Sequence, residues 1–155
     1  MTIFSRNFIC NSENDTKLLA TSIAKIAQKG DIFALFGTLG VGKSTFSRYF
    51  IQYLSGIQDV PSPTFTLVQM YETQNFDIYH YDMYRLKVAD EAYELGVEDA
   101  FYQGVSLIEW SEKIVNILPK NIWKIEITSK GSERLFSVTV YNEANAERLR
   151  SISIA

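Results

Sequence analysis

The chain has a single cysteine, Cys10, so no intramolecular disulfide can form and the fold must rest on its hydrophobic core. It has no long apolar run. Stretches such as 32–36 are strand-length, far short of the ~20 residues a membrane helix needs. The N-terminus lacks an apolar h-region with a small-residue cleavage site. These absences point to a soluble, cytoplasmic protein with no membrane partner. Positive charge is also in short supply: 15 Lys+Arg against 18 Asp+Glu give a formal net charge of -3. That excludes binding of DNA or RNA through bulk basic charge. His80 is the only histidine, which gives little support to a His-based metal centre or a Ser-His-Asp triad. There is no internal repeat and no linker-like stretch rich in proline, glycine or serine.

What remains is an ordinary globular composition. The 155 residues are 46% hydrophobic and 14% aromatic. This fits one domain spanning residues 1–155, and a chain of this length buries roughly 70% of its unfolded surface. Periodicity gives an edge strand over 2–9, then a helix with Ser12 as N-cap, Glu13 and Asp15 in its first turn and Gly30 as its stop. A buried strand over 31–36 runs through a glycine-rich turn into a helix over 43–54, closed by Gly56. Pro61 and Pro63 keep the next segment out of helix. Strands at 66–72 and 76–82 read as a hairpin, and 90–103 as a helix interrupted at Gly96. A short strand at 105–109 precedes a brief helix capped by Ser111. Strands at 122–128 and 135–141 form a second hairpin, and a short helix follows from Asn142. The strand, glycine-rich turn and helix over 31–54 have the order of a P-loop NTPase fold, so the expected class is α/β with a mixed sheet that is parallel at its centre, antiparallel at its margins and flanked by helices.

The chemistry is carried by Gly37-Thr38-Leu39-Gly40-Val41-Gly42-Lys43-Ser44, which fits the phosphate-binding pattern G-x-x-x-x-G-K-[ST]. An apolar strand precedes it and an amphipathic helix follows, as the motif requires. The glycines let successive backbone N–H groups turn toward phosphate oxygens, and the helix N-terminus adds partial positive charge. Lys43 would reach the β- and γ-phosphates, the Ser44 hydroxyl would bind Mg²⁺, and Thr45 would contact the α-phosphate. The alternative, a glycine-rich turn that binds nothing, has the full motif in its proper setting against it. A guanine-specific GTPase is disfavoured, since no N-K-x-D and no D-x-x-G occurs. A carboxylate linked to the metal should end a neighbouring strand, and both Asp82 and Glu109 do so. The bland reading of either is a solvated strand end. Two rivals to an ATPase stay open: a small-molecule or nucleoside kinase, and a nucleotide-gated binding module with negligible hydrolysis. The scattered arginines give no cluster suited to a kinase lid.

Taken together, four segments resemble the bacterial TsaE (YjeE) family: Gly37 to Ser44, Ser62-Pro63-Thr64-Phe65-Thr66-Leu67-Val68, His80-Tyr81-Asp82-Met83-Tyr84-Arg85-Leu86 and Ile108-Glu109-Trp110. The likeness spans about 15–128. It implies an ATPase that acts with the TsaD–TsaB complex in forming threonylcarbamoyladenosine on tRNAs reading ANN codons, with tRNA met indirectly or weakly. It also implies that Ser44 and Asp82 hold Mg²⁺ and that Glu109 positions or activates the attacking water. Ser62, Thr64 and Thr66 would sense the γ-phosphate, and Trp110 would lie near the nucleotide. The family usually has Asp after the first loop glycine, where this chain has Thr38.

Three further features have competing readings. His80 is read first as a hydrogen-bonded strand residue. The aromatics Tyr71, Phe76, Tyr79, Tyr81 and Tyr84 fit either base stacking or, with alternate members inward, a core and a partner-facing surface. Arg85 has a salt bridge to Asp82 or Glu109 and a phosphate contact as equal alternatives. The acidic run Asp90, Glu91, Glu94, Glu98 and Asp99 is a solvated helix face or a surface that steers a basic partner, and it repels tRNA phosphates.

Overall fold

A computed structural model describes residues 3–38, 42–63 and 66–154. Its elements, in chain order, are β1 (Phe4–Cys10), α1 (Glu13–Ile26), β2 (Ile32–Phe36), α2 (Lys43–Ser55), β3 (Val68–Glu72), β4 (Asp77–Asp82), α3 (Val97–Gln103), β5 (Val105–Glu109), β6 (Trp123–Lys130), β7 (Glu133–Val140) and α4 (Glu143–Ser151). Two 3-10 segments, Ala89–Leu95 and Ser111–Ile117, stand before α3 and after β5.

The strands form one seven-stranded sheet in the order β1-β7-β6-β2-β5-β4-β3. The inner four, β6, β2, β5 and β4, run parallel, while β7, β1 and β3 are antiparallel to their neighbours. The expected mixed sheet is therefore present, and 2–9 does become an edge strand, shifted to Phe4–Cys10.

Period-2 alternation divides the sheet into two faces. Phe33, Leu35, Val105, Leu107 and Ile78 join α1, α2 and α4 in one core, with Trp123 and Phe136 among its largest members. Ile32, Ala34, Ile108, Tyr81 and Met83 face the other way, toward α3 and the 3-10 segments. Both α1 and α4 begin with a side-chain cap: Ser12 Oγ accepts from Asp15 N–H and Asn142 Oδ1 from Asn145 N–H. Helix α2 has neither a side-chain cap nor an acid in its first turn; Gly42 precedes it in the left-handed region at φ 113°.

Several boundaries differ from expectation. Helix α1 stops at Ile26 rather than Gly30, because Ala27 turns extended and Asp31 takes the Gln28 N–H into its own turn. The acidic segment before Gly96 is 3-10 rather than α-helical. Ser111 does not cap the segment after β5. Trp110 precedes it with a positive φ of 59°, and Ser111 is its first residue, donating its hydroxyl to Ile108 C=O.

The far end of β2 from the glycine-rich turn is anchored by an ion pair. Arg148 of α4 holds both carboxylate oxygens of Asp31 at 2.7 Å and also donates to Ile26 C=O and Asn145 Oδ1. Its guanidinium lies 5.0 Å from the centre of the Trp123 ring.

Candidate phosphate and metal site

The parallel strands end together. In the β4–β5 register Asp82 lies directly opposite Glu109, and β2, beside β5, ends at Phe36 and leads into Gly37. Strand alternation then decides orientation. Asp82 and His80 share a face of β4 with Ile78, and Glu109 shares a face of β5 with Leu107 and Val105. That is the face on which α2 packs. The sheet thus aims both carboxylates at the N-terminus of α2, where Lys43 and Ser44 begin the helix.

Contacts tie these residues into one cluster. The Ser44 hydroxyl donates to Glu109 Oε1 at 2.8 Å, and His80 Nε2 lies 2.6 Å from Glu109 Oε2. His80 and Glu109 side chains are each only 3% exposed. Asp82 is buried; its Oδ1 accepts from Tyr84 N–H, and its own N–H donates to Leu67 C=O. Met83 N–H donates to Glu109 C=O, joining the two strand ends through the backbone. The two non-glycine residues of positive φ among those described, Leu67 at 69° and Trp110 at 59°, are both attached to this cluster. Leu67 holds Asp82, and Trp110 follows Glu109.

Lys43 is buried, with Nζ donating to Gly37 C=O and, at 3.2 Å, to Thr38 C=O. The same ammonium sits 3.7 Å from the centre of the Trp110 ring, which in turn packs on Tyr84 at 4.7 Å. Burial pushes the Lys43 pKa down, opposed by the negative charges of Glu112, Glu109 and Asp82. A partly desolvated ammonium beside an uncapped helix N-terminus suits a polyanion. The hydroxyl and carboxylate oxygens suit Mg²⁺, which takes one or two carboxylates and completes its shell with water and substrate phosphates. No group of three or more His, Cys, Asp or Glu able to hold a metal by itself occurs among the described residues.

Of the residues singled out by sequence, Gly37, Thr38, Gly42, Lys43, Ser44, Asp82, Glu109 and Trp110 come together here. Thr45 lines an adjoining cavity of about 200 Å³ with Gly42, Ser12, Glu13, Ser132 and Arg134. Ser62 and Thr66 flank Pro63, whose C=O accepts from Leu67 N–H, and Thr66 Oγ1 accepts from Gln69. Leu39, Gly40, Val41 and Thr64 lie outside the described residues. Arg48 points away from the loop, 3.7 Å from Glu13 on α1. Sequence reasoning missed two participants. Glu112 accepts the Gly37 N–H at 2.8 Å, and His80 is a strand residue, as expected, but one bonded to a site carboxylate. The i, i+2 spacing of His80 and Asp82 in a strand was the available signal for the second.

Residues 10–136 match the family model described as "Threonylcarbamoyl adenosine biosynthesis protein TsaE". Relatives called tRNA threonylcarbamoyladenosine biosynthesis protein TsaE include those of Rickettsia bellii, 43% identical over 90% of this chain and 98% of the relative, and of Bacillus subtilis, 38% identical over 77% and 75%. The crystal structure of Bacillus subtilis YdiB superposes with a TM-score of 0.82, at 28% identity, over 98% of this chain and 96% of that one. With its α/β P-loop fold and its match across most of its length, the chain belongs to the TsaE family.

Proposed function

We propose that this protein is an ATPase that supports the TsaD–TsaB complex in forming threonylcarbamoyladenosine on tRNA. The observation that carries the reading is the convergence of Lys43 and Ser44 at the N-terminus of α2 with Asp82 and Glu109, side by side at the ends of β4 and β5. Lys43 and the α2 N-terminus bind the phosphates, and the cavity beside Thr45 is the space open to the nucleoside. Ser44 and Asp82 would hold Mg²⁺, which neutralises charge on the phosphates when bound. Glu109 orients the attacking water. Its contact with Ser44 also makes it a candidate for the metal shell, so substitution has to separate the two carboxylates.

Fast hydrolysis by a P-loop commonly needs an arginine at the transition state, worth ~10³–10⁵ in turnover and often supplied by another protein. Arg48 faces α1. The protein alone is therefore a slow ATPase, and docking onto TsaD–TsaB completes the site. Phosphate release is measured with the protein alone, then with TsaD and TsaB. Slow turnover that rises on addition is expected. Fast turnover indifferent to both, or phosphate transfer to an added metabolite, refutes the reading. Asp82→Ala should weaken Mg·ATP binding more than metal-free ATP binding, whereas Glu109→Gln should spare binding and cut turnover. The reverse pattern exchanges their roles.

A further inference from the structure

The contact between His80 and Glu109 has two features that a packing role does not explain. First, it is the only hydrogen bond that the buried imidazole makes among the described residues: Nε2 lies 2.6 Å from Glu109 Oε2, while His80 Nδ1 is buried with no partner among them. Leaving a buried ring nitrogen unpaired is costly, and a leucine or phenylalanine at this strand position would avoid it. Second, the partner is one end of a carboxylate whose other oxygen is held by the Ser44 hydroxyl. A carboxylate accepts, so the ring nitrogen facing it, Nε2, carries the hydrogen.

These two donors differ in what else they serve. In the reading above, the Ser44 oxygen would also serve Mg²⁺ when nucleotide is bound, which ties the direction of its O–H bond to Glu109 Oε1 to the metal. His80 is fixed in the middle of β4, between Gln69 and Leu107 in register. We infer that His80 is a positioning residue: its Nε2–H holds Glu109 in a single orientation while Ser44 is occupied with the metal, which is the moment at which Glu109 acts. The inference rests on the proposed ATPase role of the site. It adds a residue that touches neither nucleotide nor metal and works through Glu109.

Because His80 is the only histidine in the chain, labelling histidine with ¹⁵N gives a single imidazole to observe. The expected spectrum shows the hydrogen on Nε2 both in the free protein and with a non-hydrolysable Mg·ATP analogue bound, and a changed Nε2 environment in Glu109→Gln. A bare Nε2, or loss of the bond when the analogue binds, overturns the inference. Kinetics supply a second readout. Loss of a partner that orients a site ligand typically lowers activity by roughly ten- to a hundredfold. His80→Leu should do so in turnover at saturating Mg·ATP, with ATP affinity nearly unchanged, and His80→Gln, whose amide can donate, should recover part of the loss. Added to Glu109→Gln, His80→Leu should cost little more. Unaltered turnover in His80→Leu, or an equal further loss on the Glu109→Gln background, overturns the inference. A wild type that binds Mg·ATP and never hydrolyses it, with or without TsaD and TsaB, refutes the ATPase reading instead, and the imidazole spectrum still decides the positioning.

Discussion

Removing the Arg148 guanidinium should be a costly single change outside the site. The group makes bonds at 2.7 Å to both oxygens of Asp31, at 2.7 Å to Asn145 Oδ1 and at 2.8 Å to Ile26 C=O. The two charged side chains are only 17% and 9% exposed. In Arg148→Met the Asp31 carboxylate stays buried with one donor left to it, the Gln28 N–H. Breaking a buried pair from one side costs ~3–5 kcal/mol, and residual exposure at Arg148 favours the lower end. About 3 kcal/mol is a large part of the ~5–15 kcal/mol that holds a domain folded. At roughly 2–4 °C per kcal/mol for a chain of this size, the Tm should drop by about 6–12 °C. Urea and thermal unfolding would be followed without nucleotide, since a ligand that binds only the folded state would mask part of the loss. Asp31→Asn combined with Arg148→Met removes both charges together, so the double variant should be clearly more stable than the sum of the two single losses predicts. The pair is far from Lys43, so ATP turnover at low temperature should survive. A loss below about 1 kcal/mol for Arg148→Met, or strict additivity in the double variant, would refute the assigned role of the buried charge.

Three other outcomes are expected. Lys43→Ala should weaken ATP binding by roughly ten- to a hundredfold in calorimetry, the scale of hydrogen bonds to charged groups, and unchanged affinity in a folded variant would remove Lys43 from the phosphate site. At Gly104 an added Cβ would stand 2.4 Å from Asp77 C=O and 2.7 Å from the Tyr79 ring, so Gly104→Ala should force β4 and the end of α3 apart and lower stability by ~1–3 kcal/mol in urea unfolding; a neutral result would contradict that close approach. Cys10 is 3% exposed and burial pushes its thiol pKa above the usual 9.0, which leaves less thiolate at any given pH. Iodoacetamide at mildly alkaline pH should therefore label it slowly in native protein and quickly in urea, and equal rates would contradict the burial.

The parts of the fold set by local chemistry were legible from sequence. The Ser12 cap, the Gly56 stop and both hairpins depend on neighbours a few residues away, and all are present. The glycine-rich motif between β2 and α2 is equally local, and the strand and helix on either side of it are present. What escaped depends on pairing between distant strands. Nothing near Asp31 in sequence says that Arg148 will hold it, and the spacing of His80 from Asp82 puts both on one face without saying that Glu109 will lie beside His80. Trp110 shows a related gap. A tryptophan in the left-handed region is unfavourable by local rules. It is held between Lys43 and Tyr84 by contacts that only the assembled sheet provides, and it displaced Ser111 from the capping position expected of it.

The edge of the sheet bears on how such a chain leaves the ribosome. Strand β1 has a single neighbour, β7, and their register sets Phe4 against Val140 and Cys10 against Arg134. Until β7 is made, β1 has none of the described strands to pair with. Loop closure over that distance makes the pairing intrinsically slow, and Ile3 and Ile9 remain exposed even when it is complete. The waiting strand is thus an unpaired, partly apolar ribbon on the nascent chain, open to a chaperone or to another copy of itself. Release before the β6–β7 hairpin is made should yield a product that keeps the phosphate loop, Asp82 and Glu109 in its sequence but aggregates through β1.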